Sequence, residues 1–274
     1  MATDTPDRVR QLTEELRRAR EELDRYGELL LTIQKSILPQ HLPSVPGLDL
    51  AVHFADADAV GGDLYDVRPV GLKTWAIVIA DVSGHGLAAA AILALVHALG
   101  NTLQGQQVPP GAALALINQP LATRYLAGTN RFVTAWVGLY DAETRMLTYA
   151  SAGHPPPRLV RGGEIRRLVT ASGLPLGIEK TSVFDDQTLQ LLPGDRLVLF
   201  TDGITESMDE AHEFFGDERL DASLRAPAST ATELLGRIVD SVRTFRAGRL
   251  ADDDETCLVA VLKSDSAGTQ RPRK

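Results

Sequence analysis

Between Val9 and Ile37 the apolar residues fall at Val9, Leu12, Leu16, Ala19, Leu23, Tyr26, Leu30, Ile33 and Ile37, in alternating steps of three and four. A strand cannot use that period, because its side chains repeat every second residue, whereas a helix lines these positions up as the seam of a coiled coil. The polar faces support the helix: Glu14 with Arg18 and Glu21 with Arg25 stand at i,i+4, and Glu15 and Arg20 fall at g and e positions, where they can pair between chains. Gly27 and the bulky Tyr26 loosen the seam locally, and Pro39 ends it. The expectation is a self-associating N-terminal helix and a homodimer; the alternative is one amphipathic helix lying on the globular domain. Residues 1–40 are therefore read as a coiled-coil and linker segment.

Beyond the prolines at 39, 43 and 46 the pattern changes. Strand signals occupy LDLAVHF and TWAIVIAD, then two helices are expected at Ala88–Gln104 and Ala112–Leu126, separated by Pro109, Pro110 and Gly111. Strand-like runs return in RFVTAWVGLYD, RMLTYASAG, PRLVR and EIRRLV, the last two joined at Gly162 and Gly163 as a hairpin. DDQTLQLL and DRLVLFTDG follow, then a helix around Thr230–Phe245 and a closing strand, TCLVAVLK. Strands in blocks with helices grouped between them predict an α+β layered sandwich rather than a regular parallel βα sheet. One domain is expected over 41–264, with 265–274 a flexible polar tail.

A formal net charge of -8 argues against a nucleic-acid backbone or an anionic membrane surface as the main partner. Cys257 is the only cysteine, which excludes an intrachain disulfide and a cysteine-based zinc site and suits a reducing compartment. No signal-peptide architecture opens the chain, and the apolar run Leu87–Gly100 is too short to span a bilayer. The expected location is cytoplasmic.

The chemistry concentrates in acidic clusters beside glycines: Asp63 in VGGDLYDV, Asp81 in ADVSGHG, Asp202 in FTDG, and Asp252 to Asp254 before the last strand. Each alone also reads as an ordinary Asp-Gly turn. Together, converging carboxylates repel one another unless cations neutralise them, and hard oxygen donors select Mg²⁺ or Mn²⁺ over zinc or copper. Cys257 sits in an apolar strand and reads as a buried hydrophobe, and Ser83 as a loop residue, so neither is an expected nucleophile.

GGDLYD, DVSGHG, AGHPPP, TDGITE, FFGDERL and DDET, in this order, resemble the bacterial SpoIIE/RsbU-type branch of the PPM, protein phosphatase 2C-like, serine/threonine phosphatases. The resemblance runs from about Gln34 to Leu262. It implies a PPM-type β-sandwich of two antiparallel sheets flanked by helix pairs, with metals in a cleft at one end. It also implies two Mn²⁺ or Mg²⁺ ions, bridged by Asp81, with the Val82 carbonyl as a further ligand. Asp202 and Asp253 would hold one ion and Asp63 the other; Asp254 is the fallback for Asp253 because the DDD run permits a one-residue register shift. Asp81 and Asp202 thus count as catalytic residues, with His85 a candidate proton donor to the leaving serine oxygen or a structural residue. His154 is read as tying down its turn, and His97 as a core or helix-face residue. The segment HFADADAV carries no arginine of the kind with which eukaryotic relatives grip phosphate. The resemblance further implies a phosphorylated STAS-domain anti-anti-sigma substrate in a partner-switching pathway, and a regulator acting through the N-terminal helix. Two rivals remain, a catalytically silent coiled-coil scaffold that keeps the fold for binding, and a hydrolase of small phosphoesters.

Overall fold

A computed structural model describes residues 5–57, 60–170 and 173–264. The expected polar tail, 265–274, lies outside the described residues. The chain opens with α1 (Thr5–Ile37), continuous through Gly27, followed by β1 (Leu48–Ala55), β2 (Asp63–Pro69), β3 (Thr74–Val82), α2 (Leu87–Asn101) and α3 (Pro110–Pro120). A single π-helical turn at Leu121–Tyr125 leads into β4 (Val133–Asp141), β5 (Met146–Ala152), β6 (Arg158–Arg161) and β7 (Glu164–Arg167). Then come β8 (Gln187–Gln190), β9 (Arg196–Phe200), α4 (Asp202–Thr205), α5 (Gly216–Leu224), α6 (Ala231–Arg246) and β10 (Glu255–Leu262).

The strands form two antiparallel sheets, β1-β10-β9-β6-β7 and β2-β3-β4-β5-β8. Between them lies a core of Trp136, Tyr140, Ile79, Leu147, Leu199 and Leu258, all essentially inaccessible. The second sheet is covered on its outer face by α2 and α3, and the first by α5 and α6, giving four layers. Both inner and outer faces of β10 are buried, which is why TCLVAVL reads as a continuous apolar run instead of alternating. The Gly162-Gly163 hairpin is present, both glycines at positive φ, as a tight turn requires.

Helix α6 shows how sequence sets these layers. The Thr230 side chain accepts a hydrogen bond from the Glu233 N–H at 3.1 Å, while Glu233 reaches back to the Ser229 N–H at 2.9 Å, so orphan donors at the helix start are satisfied. Leu234, Leu235, Ile238, Val239 and Val242 then recur at helical spacing and are all buried. Each such side chain stabilises the layer by about 1.5–3 kcal/mol.

Three elements depart from the sequence reading. The segment around Asp63, read as a glycine turn, is the strand β2; its sharp turn lies just before it. The FFGDERL stretch, assigned no element, begins α5. The second expected helix is cut short at Pro120, beyond which the backbone widens into the π turn.

Helix α1 touches the sandwich only towards its C-terminal end. Ile37 and Leu38 pack against the α2/α3 core, and a methyl on Gly27 would meet Leu87 of α2 at 3.8 Å. The seam residues N-terminal to that point face solvent, with Leu16 72% and Leu23 58% exposed. The Leu30 side chain lies outside the described residues. A helix lying flat on its own domain would have covered this stripe, so that alternative does not describe the chain.

Candidate metal centre

The sheets meet at one end of the sandwich, where β2 begins, β3 ends, and the ends of β1, β9 and β10 come together. Asp63 opens β2 directly opposite Asp81 of β3. The chain reaches this register through two glycines. A methyl on Gly62 would lie 2.9 Å from the Val82 carbonyl oxygen, and one on Gly61 closer still to the Asp254 carboxylate, so neither position tolerates a side chain unless its neighbours shift.

Asp63 is buried. Its Oδ2 accepts hydrogen bonds from the Thr201 hydroxyl at 2.8 Å and the Thr256 hydroxyl at 2.6 Å, and the Thr256 N–H donates to the Thr201 oxygen at 3.1 Å. An aspartate of one sheet is thereby fastened to the strand ends of the other. Burial, and after it the Asp81 charge, push this carboxyl well above its ordinary range, against the pull of the two threonines.

Around the mouth stands a second group of acids. Burial, then Asp202, Asp253, Asp254 and Glu206, push Asp81 up to about 8. Asp202, first residue of α4, is raised to about 6 by burial and by Glu206 and Asp253. The structure therefore brings Asp81, Asp202 and Asp253 into one electrostatic neighbourhood, with Asp63 beneath. Among the described residues, no three His, Cys, Asp or Glu side chains are drawn tightly enough together to hold an ion as they stand. The acids feel one another's charge without being contracted around one point.

The two neighbouring aspartates of the DDD run differ sharply. Asp254 is buried, its oxygens accepting from the Ala57 N–H at 2.9 Å and the Gly62 N–H at 2.6 Å, so it fastens the loop before β2. Asp253 is exposed and its Oδ1 accepts from the Asp254 N–H at 2.9 Å. Of the two, Asp253 is the one presented outward beside Asp81 and Asp202.

His85 lies exposed in the turn between β3 and α2. His154 is 5% exposed; its Nδ1 lies 2.9 Å from the Thr134 hydroxyl and its N–H donates to Ser151, so it does tie down its turn. Burial lowers it to about 3, the Phe200 backbone opposing weakly, which keeps the ring neutral. His97 is half-buried on α2. The Ser83 hydroxyl is engaged by the Phe132 N–H at 2.9 Å, and burial pushes the Cys257 thiol up to about 12, so neither offers a ready nucleophile.

Two participants were missed in the sequence. Glu206 stands four residues after Asp202, a helical spacing that was available to read. Gln34, near the end of α1 and only 2% exposed, donates to Asp56 at 2.9 Å and accepts from the Gly61 N–H at 3.3 Å. Its only signal was a polar residue between the apolar seam positions Ile33 and Ile37.

The donors suit a hard divalent cation. They are carboxylates and a backbone carbonyl, and Asp81 and Asp202 are raised first by burial and then by their acidic neighbours, a charge that such an ion would relieve. A methyl on Gly203 would collide with the Asp254 carbonyl oxygen, so a glycine lets the chain after Asp202 lie directly against the DDD run.

The four-layered sandwich is the fold of PP2C-type phosphatase domains. The SiaA-PP2C domain of Pseudomonas aeruginosa superposes with a TM-score of 0.77 at 24% identity, over 90% of this chain and 99% of that one. A catalytic domain of the serine/threonine phosphatase PstP, solved with two manganese ions, superposes with a TM-score of 0.58 at 18% identity, over 79% of this chain and 99% of that one. The family described as Stage II sporulation protein E (SpoIIE) matches residues 72–263, and the chain belongs to it, within the SpoIIE/RsbU-type PPM phosphatases. Protein IcfG of Synechocystis is 28% identical over 257 residues, 85% of this chain and 40% of IcfG. Phosphoserine phosphatase RsbU of Bacillus subtilis is 28% identical over 240 residues, 87% of this chain and 70% of RsbU. The chain thus spans 40% of the length of one curated relative and 70% of the other.

Proposed function

We propose that this chain is a metal-dependent protein serine/threonine phosphatase, hydrolysing phosphoserine or phosphothreonine by attack of an activated water. The observation that carries this reading is the mutually repelling group of Asp81, Asp202 and Asp253 at the open end of the sandwich. Asp63, Asp81, the Val82 carbonyl, Asp202 and Asp253 would hold Mn²⁺ or Mg²⁺, two ions being expected. When bound, the cations supply Lewis acidity that makes a water nucleophilic at neutral pH and offsets phosphoryl charge. The protein's own residues do the rest. Thr201 and Thr256 orient Asp63, and Asp254 holds the glycine loop against the site. His85, exposed in the turn after Val82, is the candidate to give a proton to the leaving serine oxygen, a structural role being the alternative.

The name of RsbU supports a phosphoserine substrate, and the substrate proposed is a phosphorylated STAS-domain anti-anti-sigma protein in a partner-switching pathway. Cytoplasmic location accords with this; among the described residues no helix is long and apolar enough to cross a membrane. The exposed seam of α1 supports a homodimer, and a regulator acting on α1 has a physical route to the site. Gln34 joins α1 to Gly61, and Asp254 joins Gly62 to the DDD run.

The test is phosphate release from phosphoserine proteins with and without Mn²⁺, in wild type and Asp202→Ala. Expected is metal-dependent turnover lost in the variant by more than the roughly 10–100-fold that an outer partner costs, with the circular dichroism unchanged. A folded, metal-loaded wild type without turnover would leave the silent scaffold as the function.

A further inference from the structure

The acidic mouth presents a physical difficulty for its own substrate. A phosphoryl group arrives as a dianion; bound divalent cations would offset the repulsion from Asp81, Asp202, Asp253 and Glu206, and what a guanidinium adds is a planar pair of donors that orients the group. The segment before Gly61 offers no arginine. The structure brings one in from elsewhere. Arg131, just before β4, lays its guanidinium on the Asp81–Gly84 turn: Nη1 donates to the Ser83 carbonyl oxygen at 2.6 Å, and a methyl on Gly84 would lie 2.6 Å from that same nitrogen. Gly84, at φ +78, has the backbone and the lack of side chain that admit it.

The base of this arginine is fixed. The Ser83 N–H donates to the Phe132 carbonyl at 3.0 Å, the Phe132 N–H donates to the Ser83 hydroxyl at 2.9 Å, and the Arg131 N–H donates to Thr129 at 3.2 Å. Its guanidinium is half-buried, and among the described residues no carboxylate forms an ion pair with it. One N–H of the fork secures the turn, and among the described residues the others have no hydrogen-bond acceptor. A structural arginine is commonly consumed by carboxylates, as Arg158 is by Asp217 and Asp221 in this same molecule. Arg131 is not.

We infer that Arg131 grips the phosphoryl oxygens of the substrate, using the planar fork left free by its bond to Ser83. The inference rests on the phosphatase reading and adds to it the residue that positions the phosphate. Because the fork is anchored to the turn that carries Asp81 and Val82, gripping the phosphate also fixes it relative to those residues.

The test uses the full chain loaded with Mn²⁺, as wild type, R131A and R131K. Calorimetric titration with inorganic phosphate gives a binding readout independent of turnover, and steady-state kinetics on a phosphoserine peptide separate KM from kcat. Expected for R131A is phosphate binding weakened, and KM raised, by about tenfold to a hundredfold, with Mn²⁺ affinity and melting temperature held. R131K, a point charge without the fork, should recover part of the loss. An active wild type whose R131A variant keeps its phosphate affinity and KM overturns the assignment. So does an R131A variant whose phosphate binding falls only in step with Mn²⁺ affinity or melting temperature, since Arg131 would then merely prop the turn. A wild type that releases phosphate from no phosphoprotein removes the phosphatase reading itself, and this inference with it.

Discussion

Asp253 and Asp254 are adjacent, identical in chemistry and opposite in circumstance. Asp254 satisfies two backbone N–H groups in a buried loop, whereas Asp253 stands exposed among the repelling acids. Asp254→Ala is expected to lower stability by about 1–3 kcal/mol, because it leaves the Gly62 and Ala57 donors short of a partner. Asp253→Ala is expected to leave the melting temperature of the metal-free protein nearly unchanged while abolishing Mn²⁺-dependent turnover. Denaturant titration beside activity measurement distinguishes them. The sequence could confine the proposed metal acid to this run, with Asp254 as the fallback for Asp253, because the choice depends on which side chain the loop before β2 captures. His154 carries a second prediction. Its folded-state value near 3 lies below the ordinary 6.5, so between those limits the unfolded chain takes up a proton that the folded chain refuses. The stability it contributes is complete above pH 6.5 and is lost as the pH falls through that window. Unfolding measured from pH 7.5 to 4.5 should show a shallower acid decline in H154Q than in the wild type.

At the level of elements, α1 has two tasks on one helix. Its outer seam carries leucines that a single chain leaves in water, and its inner end carries Gln34. Leu16→Glu with Leu23→Glu is expected to give a monomer by light scattering, since the seam would then bear charge where an apolar contact is needed. Gln34→Ala is expected to keep the oligomeric state and lower turnover, because the Gly61 N–H loses its acceptor and Asp56 its donor. Some elements were legible in the sequence: α1 and α6 announce their period, while α2 and the buried β10 stand out as continuous apolar runs. The sequence concealed β2 because Asp63, Asp66, Arg68 and Pro69 interrupt any apolar run. In the fold Asp66 pairs with Arg68 at 3.3 Å, and Asp63 turns inward to the threonines. Helix α5 was hidden for another reason: it is nine residues long, with Asp217 and Asp221 committed to Arg158 of the neighbouring sheet. Such partners lie far away in sequence and leave no local trace.

Taken whole, the molecule divides the four aspartates proposed as metal ligands two to each sheet. Asp63 and Asp81 belong to the second sheet, while Asp202 and Asp253 follow or precede strands of the first. A ligand joining them therefore stabilises the folded sandwich over the unfolded chain. Mn²⁺ at a hundredfold excess over its dissociation constant should add about 2.7 kcal/mol, seen as a higher melting temperature in wild type that is absent in Asp81→Asn. The layered architecture was readable because blocks of strands separated by paired helices admit few arrangements. The pairing of one sheet with the other was not, since no periodicity encodes which loops of two sheets will meet.

The hydroxyl pair that clasps Asp63 has a consequence for how this chain matures. A newly made chain whose two halves close in a slightly wrong alignment would strand that carboxylate in an oil-like interior, with no donors to receive it. Such a misassembled sandwich would carry the cost of a buried carboxylate without partners, so the clasp favours one alignment of the two sheets over its neighbours.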